Sequence, residues 1–371
     1  MENLKITYLF IAGRKNRIDN SNYANDFFYG CRDFLKNSYD VDIIEMTFKQ
    51  KNLNAKLLRF VDKVLRKISE CSFFLASIIS NKNLKIIKKT DVLIATNDRL
   101  GFSAIPYLIY LKVKNKKSII FAMGLIKLKN RNFLTKFFNR LFTKFLIYLS
   151  SNIVFLSNNE LKEAEFRFKK YSEKLTYFPF CVDVEFWSKN ENDQKTQNNK
   201  LLFIGNDGNR DYELVKNISK HLKDYKTVLI TSQINNLDHF DNVKLIKSSW
   251  QSDKYTDFEL KNFYQDASLV FLPLKNSLQP SGQSVALQAM SMGVPVIISK
   301  TDGFWDHENL IHKKNIYVVD ENSLENWLSK IEKLSNDNEL LALLADEGRK
   351  IVNEKYNSKS IYSMIIELIN K

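Results

Sequence analysis

Between Leu269 and Gly303 the chain reads LVFLPLKNSLQPSGQSVALQAMSMGVPVIISKTDG, a strand, a polar loop, a short helix, a glycine stop and a second strand. Each step has a physical cause. LVFL is apolar and compact enough for a buried strand, and Ser277 to Ser284 supplies turn-forming residues. Gly293 can adopt the left-handed conformation that ends a helix, Pro295 cannot continue it, and VPVIIS is sufficiently β-branched to start another buried strand. A loop that leaves the carboxyl end of a strand and opens a helix is where open α/β sheets hold ligands. The unsatisfied N–H groups and positive dipole end of that helix favour phosphate. Gly282 lets backbone approach a ligand closely.

The same alternation extends in both directions. ITYLFIAG, VDIIEM, DVLIAT, SIIFAM, NIVFLS and LTYFPF lie in the first half, and KLLFIGN, KTVLITS, VKLIKSS, LVFLPL, PVIISK and IYVV in the second. Short strands separated by helical stretches predict parallel sheets covered by helices. A chain of 371 residues suits two such domains. The polar run Ser188 to Lys200 (SKNENDQKTQNNK) marks the join, giving a first domain over 1–187 and a second over 188–357. The amphipathic terminal stretch 358–371 is expected to pack on a surface already built, the first domain being one choice.

A second strand-loop-helix junction, LLFIGNDGNRDYELV, adds Gly205, Asp207 and Gly208 in its turn and Arg210 beside the next helix. Arginine is a forked, permanently charged donor suited to a diphosphate. In the first half, Asp98 follows DVLIAT and is the leading carboxylate for a general base, with Asp19 and Asp26 behind it. All four histidines, His221, His239, His307 and His312, lie in the second half.

Charge is divided unevenly. Residues 1–187 carry 33 Lys and Arg against 17 Asp and Glu, whereas 188–371 carry 23 against 25. The first half therefore calls for an anionic partner. Phe133, Leu134, Phe137, Phe138, Leu141, Phe142, Phe145 and Leu146 form one broad helical stripe, flanked by Lys136, Arg140 and Lys144. NAKLLRFVDKVLRK, from Asn54 to Lys67, repeats the basic and apolar alternation. Such faces suit an in-plane membrane helix, although a helix packed on its own sheet shows the same pattern. Nothing resembles a nucleic-acid-reading motif. The apolar run Phe145 to Leu156 is interrupted by Ser150, Ser151 and Asn152, so no spanning helix is expected. Three scattered cysteines and the strand-like opening MENLKITYLFIAG lead to an expectation of a reducing, cytoplasmic setting at the inner face of the membrane.

The run SGQSVALQAMSMGVPVIISKTDGFWD, with NIYVV after it, resembles the donor-binding stretch of the GT-B glycosyltransferases that include family 4, also called group 1. KLTYFPFCVDVEFW resembles that group's interdomain segment, and LLFIGNDGNRDY the opening strand of its second domain. The resemblance implies two Rossmann-like domains whose parallel sheets face each other across a cleft. It also implies transfer from a nucleotide-diphosphate sugar, most commonly UDP-linked, to a glycan or lipid-linked acceptor in cell-surface polysaccharide or lipopolysaccharide synthesis. Phosphates would then lie near Ser281, Gly282, Gln283, Ser284 and Arg210, with no metal or other cofactor required. The family's two glutamates fall here on Pro280 and Gln288, which leaves retention or inversion open. Gln288 keeps an amide able to bond a ribose hydroxyl. A catalytically inactive subunit and a nucleotide-sugar epimerase of the same fold are the alternatives.

Overall fold

A computed structural model describes residues 4–48, 53–126, 132–189, 199–235, 237, 240–248 and 255–371. The chain forms two compact units, one comprising 1–20, 28–179 and 361–371, the other 21–27 and 180–360.

In the first unit β1 (Lys5–Phe10), β2 (Asp40–Glu45), β3 (Val92–Ala95), β4 (Lys117–Ala122), β5 (Asn152–Phe155) and β6 (Leu175–Tyr177) form a parallel sheet ordered β2-β1-β3-β4-β5-β6. In the second, β7 (Lys200–Ile204), β8 (Lys226–Ile230), β9 (Val243–Ile246), β10 (Leu269–Leu272), β11 (Val296–Ser299) and β12 (Tyr317–Val319) are ordered β12-β11-β10-β7-β8-β9. All twelve expected runs are strands. Every residue of β3, β10 and β11 is buried, as strands covered by helices on both faces require. Strand order reverses between β1 and β3 in one sheet and between β7 and β10 in the other, so each sheet has one topological switch point.

The division of the chain differs from the composition-based one. The second unit starts at Phe180, ahead of the polar run, of which 190–198 lie outside the described residues. Trp187 explains the difference: its fully buried indole meets Tyr264 edge-on at 5.6 Å, which fixes the connecting segment to the second unit. The terminal helix Lys359–Asn370 contributes from Ile361 onward to the first unit. There the Tyr362 ring stands edge-on to Phe34 at 4.8 Å and Lys117 donates to the carbonyl of Ile369. No helix among the described residues is long and apolar enough to cross a membrane.

Candidate functional site

The switch point of the second unit is built around one guanidinium. Arg210 follows β7, is only 3% exposed, and donates from Nη1 to Ser281 Oγ at 3.1 Å across to the loop after β10. Backbone pairing fixes the two loops together. Arg210 bridges Leu274, Lys275 N–H donates to the Asn209 carbonyl at 2.8 Å, and Asp211 N–H donates to that of Pro273 at 3.0 Å.

Two glycines make room for the guanidinium. A Cβ at Gly205 would lie 2.4 Å from Arg210 Nε, and one at Gly282 would lie 3.0 Å from Nη1. Gly282 also has φ of +84°, which disfavours any side chain. Gly208 differs, since nothing among the described residues stands within 4 Å of the position its Cβ would take. Arg210 Nε is buried and has no hydrogen-bond partner among the described residues. Its nearest acid, Asp207, lies 3.6 Å away, within ion-pair range and beyond hydrogen-bond range. A buried donor left unmade is expensive, and an anion at this turn would satisfy it.

Ser281 Oγ lies 3.0 and 3.1 Å from the two Asp207 carboxylate oxygens. Asp207 also accepts from Asn209 N–H at 2.9 Å. A carboxylate so engaged repels phosphate, so Asp207 suits a counter-ion to Arg210 better than the phosphate ligand read from the sequence. The helix Gln283–Ser291 starts at Gly282 with no side-chain cap. Its first turn carries a buried Gln283 and a half-buried Ser284 at the dipole's positive end.

Gln288 lies deeper and is 4% exposed. Its Oε1 accepts from Tyr264 Oη at 2.9 Å, and its Nε2 donates to Asp26 Oδ2 at 2.7 Å. Sequence reasoning gave the amide a ribose hydroxyl, but the structure turns it inward. Asp26, an alternative base in the sequence, is 1% exposed and accepts two further hydrogen bonds, from Trp187 Nε1 at 2.9 Å and Asp183 N–H at 2.6 Å. That enclosure removes it as a base for an external substrate. Burial pushes its carboxyl up to about 7 against the pull of these three donors. Ala24 N–H donates to Asp257 and Asn25 N–H to Asp183, at 3.0 and 3.1 Å, so carboxylates hold the middle of the segment 21–27.

In the first unit, Asp98 opens the helix Asp98–Ser103 after β3, while its neighbour Asn97 performs the capping by accepting from Leu100 N–H at 2.9 Å. Asp98 is partly exposed and thus accessible to solvent. Glu160 was not singled out by any pattern in the sequence. Fully buried, it accepts from Gly124 and Ile126 N–H at 3.0 and 2.9 Å and so holds the loop leaving β4. Burial pushes its carboxyl up to about 7, with the charge of Asp98 adding to the rise.

The stripe of the helix Phe133–Leu149 divides in two. Leu146 is buried and Phe142 meets Phe73 at 5.2 Å, whereas Phe133, Leu134 and Phe137 are 80, 65 and 55% exposed. Lys136, Arg140 and Lys144 are exposed beside them. Asn139 Nδ2 donates to the Ser69 carbonyl at 2.9 Å, joining this helix to Leu53–Ser69, where Leu57 and Phe60 are also exposed.

Residues 187–351 match the family of "Glycosyl transferases group 1", a span that runs through the whole second sheet and both glycine turns. Over that span the chain is similar to the group 1 glycosyltransferases. Among curated proteins, the capsular polysaccharide biosynthesis glycosyltransferase CapM of Staphylococcus aureus is 29% identical over 87 residues, 24% of this chain and 22% of that relative. Two solved structures are similar over nearly the entire chain. Anabaena Alr3699/HepE in complex with UDP aligns over 99% of this chain and 100% of that one, with a TM-score of 0.64 at 14% identity. Sucrose-phosphate synthase from Thermosynechococcus elongatus aligns over 99% and 98%, with a TM-score of 0.70 at 12% identity. The fold is therefore GT-B. Within the matched span, the turn carrying Gly282 and the Arg210 side chain occupy the strand ends at which ligands of such sheets lie.

Proposed function

We propose that this chain is a glycosyltransferase that moves a sugar from a nucleotide-diphosphate sugar, with UDP as the first choice of nucleotide, to a glycan or lipid-linked acceptor at a membrane surface. The observation that carries the reading is the Arg210 guanidinium. It is buried between two glycine turns beside an uncapped helix start, with Nε lacking a hydrogen-bond partner among the described residues. That arrangement suits a diphosphate, whose negative charge grows as the sugar–phosphate bond breaks. Arg210 and the first turn of the Gln283 helix would stabilise that charge without an obligatory metal, and Ser281 would exchange its Asp207 contact for a phosphate oxygen. Asp98 is the candidate base for the acceptor hydroxyl, and the exposed apolar face of the Phe133 helix is the candidate membrane contact.

A second reading has its own support. With Pro280 at the first family glutamate position and the Gln288 amide bonded inward, the domain could bind a nucleotide without turning over its sugar. The test is a thermal-shift panel with UDP, GDP, CDP and dTDP on the unmodified protein and on Arg210→Ala, followed by UDP-sugar turnover with membranes present. Stabilisation by one nucleotide, lost in the variant and accompanied by turnover, supports the transferase. Stabilisation without turnover supports the inactive binder. No stabilisation of a folded protein removes both.

A further inference from the structure

The first unit contains a cavity of about 450 Å³ between the helix Phe133–Leu149 and the turn Lys169–Lys174. Among the described residues five cations line it, Arg140, Lys144, Arg167, Lys169 and Lys170, and no acidic side chain does. Glu163 engages Arg167, and Arg140 Nη2 lies 3.5 Å from the Arg167 carbonyl, so the floor of the cavity is tied together. Lys144, Lys169 and Lys170 remain exposed around it.

Apolar side chains complete the wall. Phe137 and Leu141 line the cavity and are 55 and 46% exposed. Phe133, one helical turn before Phe137, extends the same face. An apolar face that continues into a cationic recess matches the two layers of a membrane interface, acyl chains beside phosphates. A soluble anion would require only the cations, whereas the adjoining exposed phenylalanines suit a ligand carrying a hydrocarbon part.

We infer that this recess is a binding site for the phosphate headgroup of an anionic phospholipid, with Phe133, Phe137 and Leu141 entering the acyl boundary next to it. The inference rests on the membrane contact proposed above and gives that contact a defined headgroup site. It predicts that loss of binding follows the position of the charges removed and not merely their number.

The experiment is flotation of the full chain with vesicles of phosphatidylcholine alone or with phosphatidylglycerol added. Three proteins are compared: the unmodified chain, Lys144→Ala/Lys169→Ala/Lys170→Ala, and the control Lys85→Ala/Lys88→Ala/Lys89→Ala, whose exposed lysines lie on another helix. The UDP thermal shift is recorded on the same samples. The unmodified chain should float only with phosphatidylglycerol present. The cavity triple should lose roughly tenfold or more in binding and the control less than about threefold, although both remove three charges. Equal losses in the two triples, or unchanged binding by the cavity triple, overturn the site. So does binding of soluble glycerol 3-phosphate as tight as binding to vesicles, which would mark a free-phosphate site. If the unmodified chain ignores anionic vesicles while still responding to UDP, the membrane contact falls with the cavity and the donor reading stands.

Discussion

Restoring a glutamate at position 288 should damage this protein, and the size of the damage follows from the buried contacts of Gln288. Its Nε2 lies 2.7 Å from Asp26 Oδ2, so Gln288→Glu replaces a donated hydrogen bond with two carboxylates at that separation. Two unit charges there repel by ~6 kcal/mol at an effective dielectric constant of about 20, and the pair will retain a proton to avoid it. Because Tyr264 can still donate to the remaining carboxylate oxygen, the loss is confined to the Asp26 side. We expect roughly 4 kcal/mol of destabilisation at pH 8, or a fall in melting temperature of about 10 °C for a unit of this size, and less at pH 5.5 where the pair shares its proton. Adding Asp26→Asn returns a donor opposite the introduced carboxylate but leaves the Trp187 N–H facing an amide nitrogen. The double variant should therefore recover about half of the loss. Circular-dichroism melts of the unmodified protein, both single variants and the double variant at the two pH values decide the matter. If Gln288→Glu melts with the unmodified protein at pH 8, or if the double variant is no better than the sum of the singles, Asp26 and Gln288 are not coupled as described.

Gly205→Ala should retain the fold yet lose at least roughly tenfold in nucleotide affinity, because its Cβ would lie 2.4 Å from Arg210 Nε and displace the guanidinium; UDP titration followed by melting temperature measures this. Two buried carboxyls, Asp26 and Glu160, are raised to about 7, so the stability each contributes is fully present below its ordinary value near 4 and is lost as pH rises to about 7. The gap in melting free energy between pH 5 and pH 8 should accordingly narrow in Glu160→Gln, by up to about 3 kcal/mol, and an unchanged gap would show that Glu160 does not titrate in this range. That variant should also be less stable at pH 5 by about 1–3 kcal/mol, since an amide can accept from only one side and either Gly124 or Ile126 N–H loses its partner. Phe133→Ser/Phe137→Ser removes only exposed side chains, so it should melt within about 1 °C of the unmodified protein while losing flotation with anionic vesicles.

The strands were legible because each contains a short β-branched or aromatic run, most cleanly in β3, β10 and β11, where every residue is buried. Arg210 and Gly282 were legible for a similar reason, as strand-loop-helix junctions set the chemistry of the turn locally. Asp26 could be read as a carboxylate near the first strand but not as a buried one, since its partner Gln288 is 262 positions away and no local period connects them. Glu160 was hidden by a misleading cue. Ser157 and Glu160 have the spacing of a capping box, and Ser157 does accept from Glu160 N–H at 3.4 Å, but the glutamate side chain leaves the cap to hold the β4 loop. The stripe of the Phe133 helix showed an amphipathic helix, while its division into buried and exposed parts depended on which neighbours the fold supplied.

Residues 21–27 belong to the unit formed by the second half of the chain, and 361–371 to the unit formed by the first. Severing the chain within its central polar run would thus leave both pieces incomplete: the C-terminal fragment would lack Asp26 opposite Gln288, and the N-terminal fragment would lack the helix that sets Tyr362 edge-on to Phe34. Each fragment alone would expose apolar surface and aggregate, whereas the two expressed together should reassemble without a covalent link. In synthesis from the ribosome, the first unit can finish folding only after residues 361–371 emerge, so its completion waits until the second unit has been made.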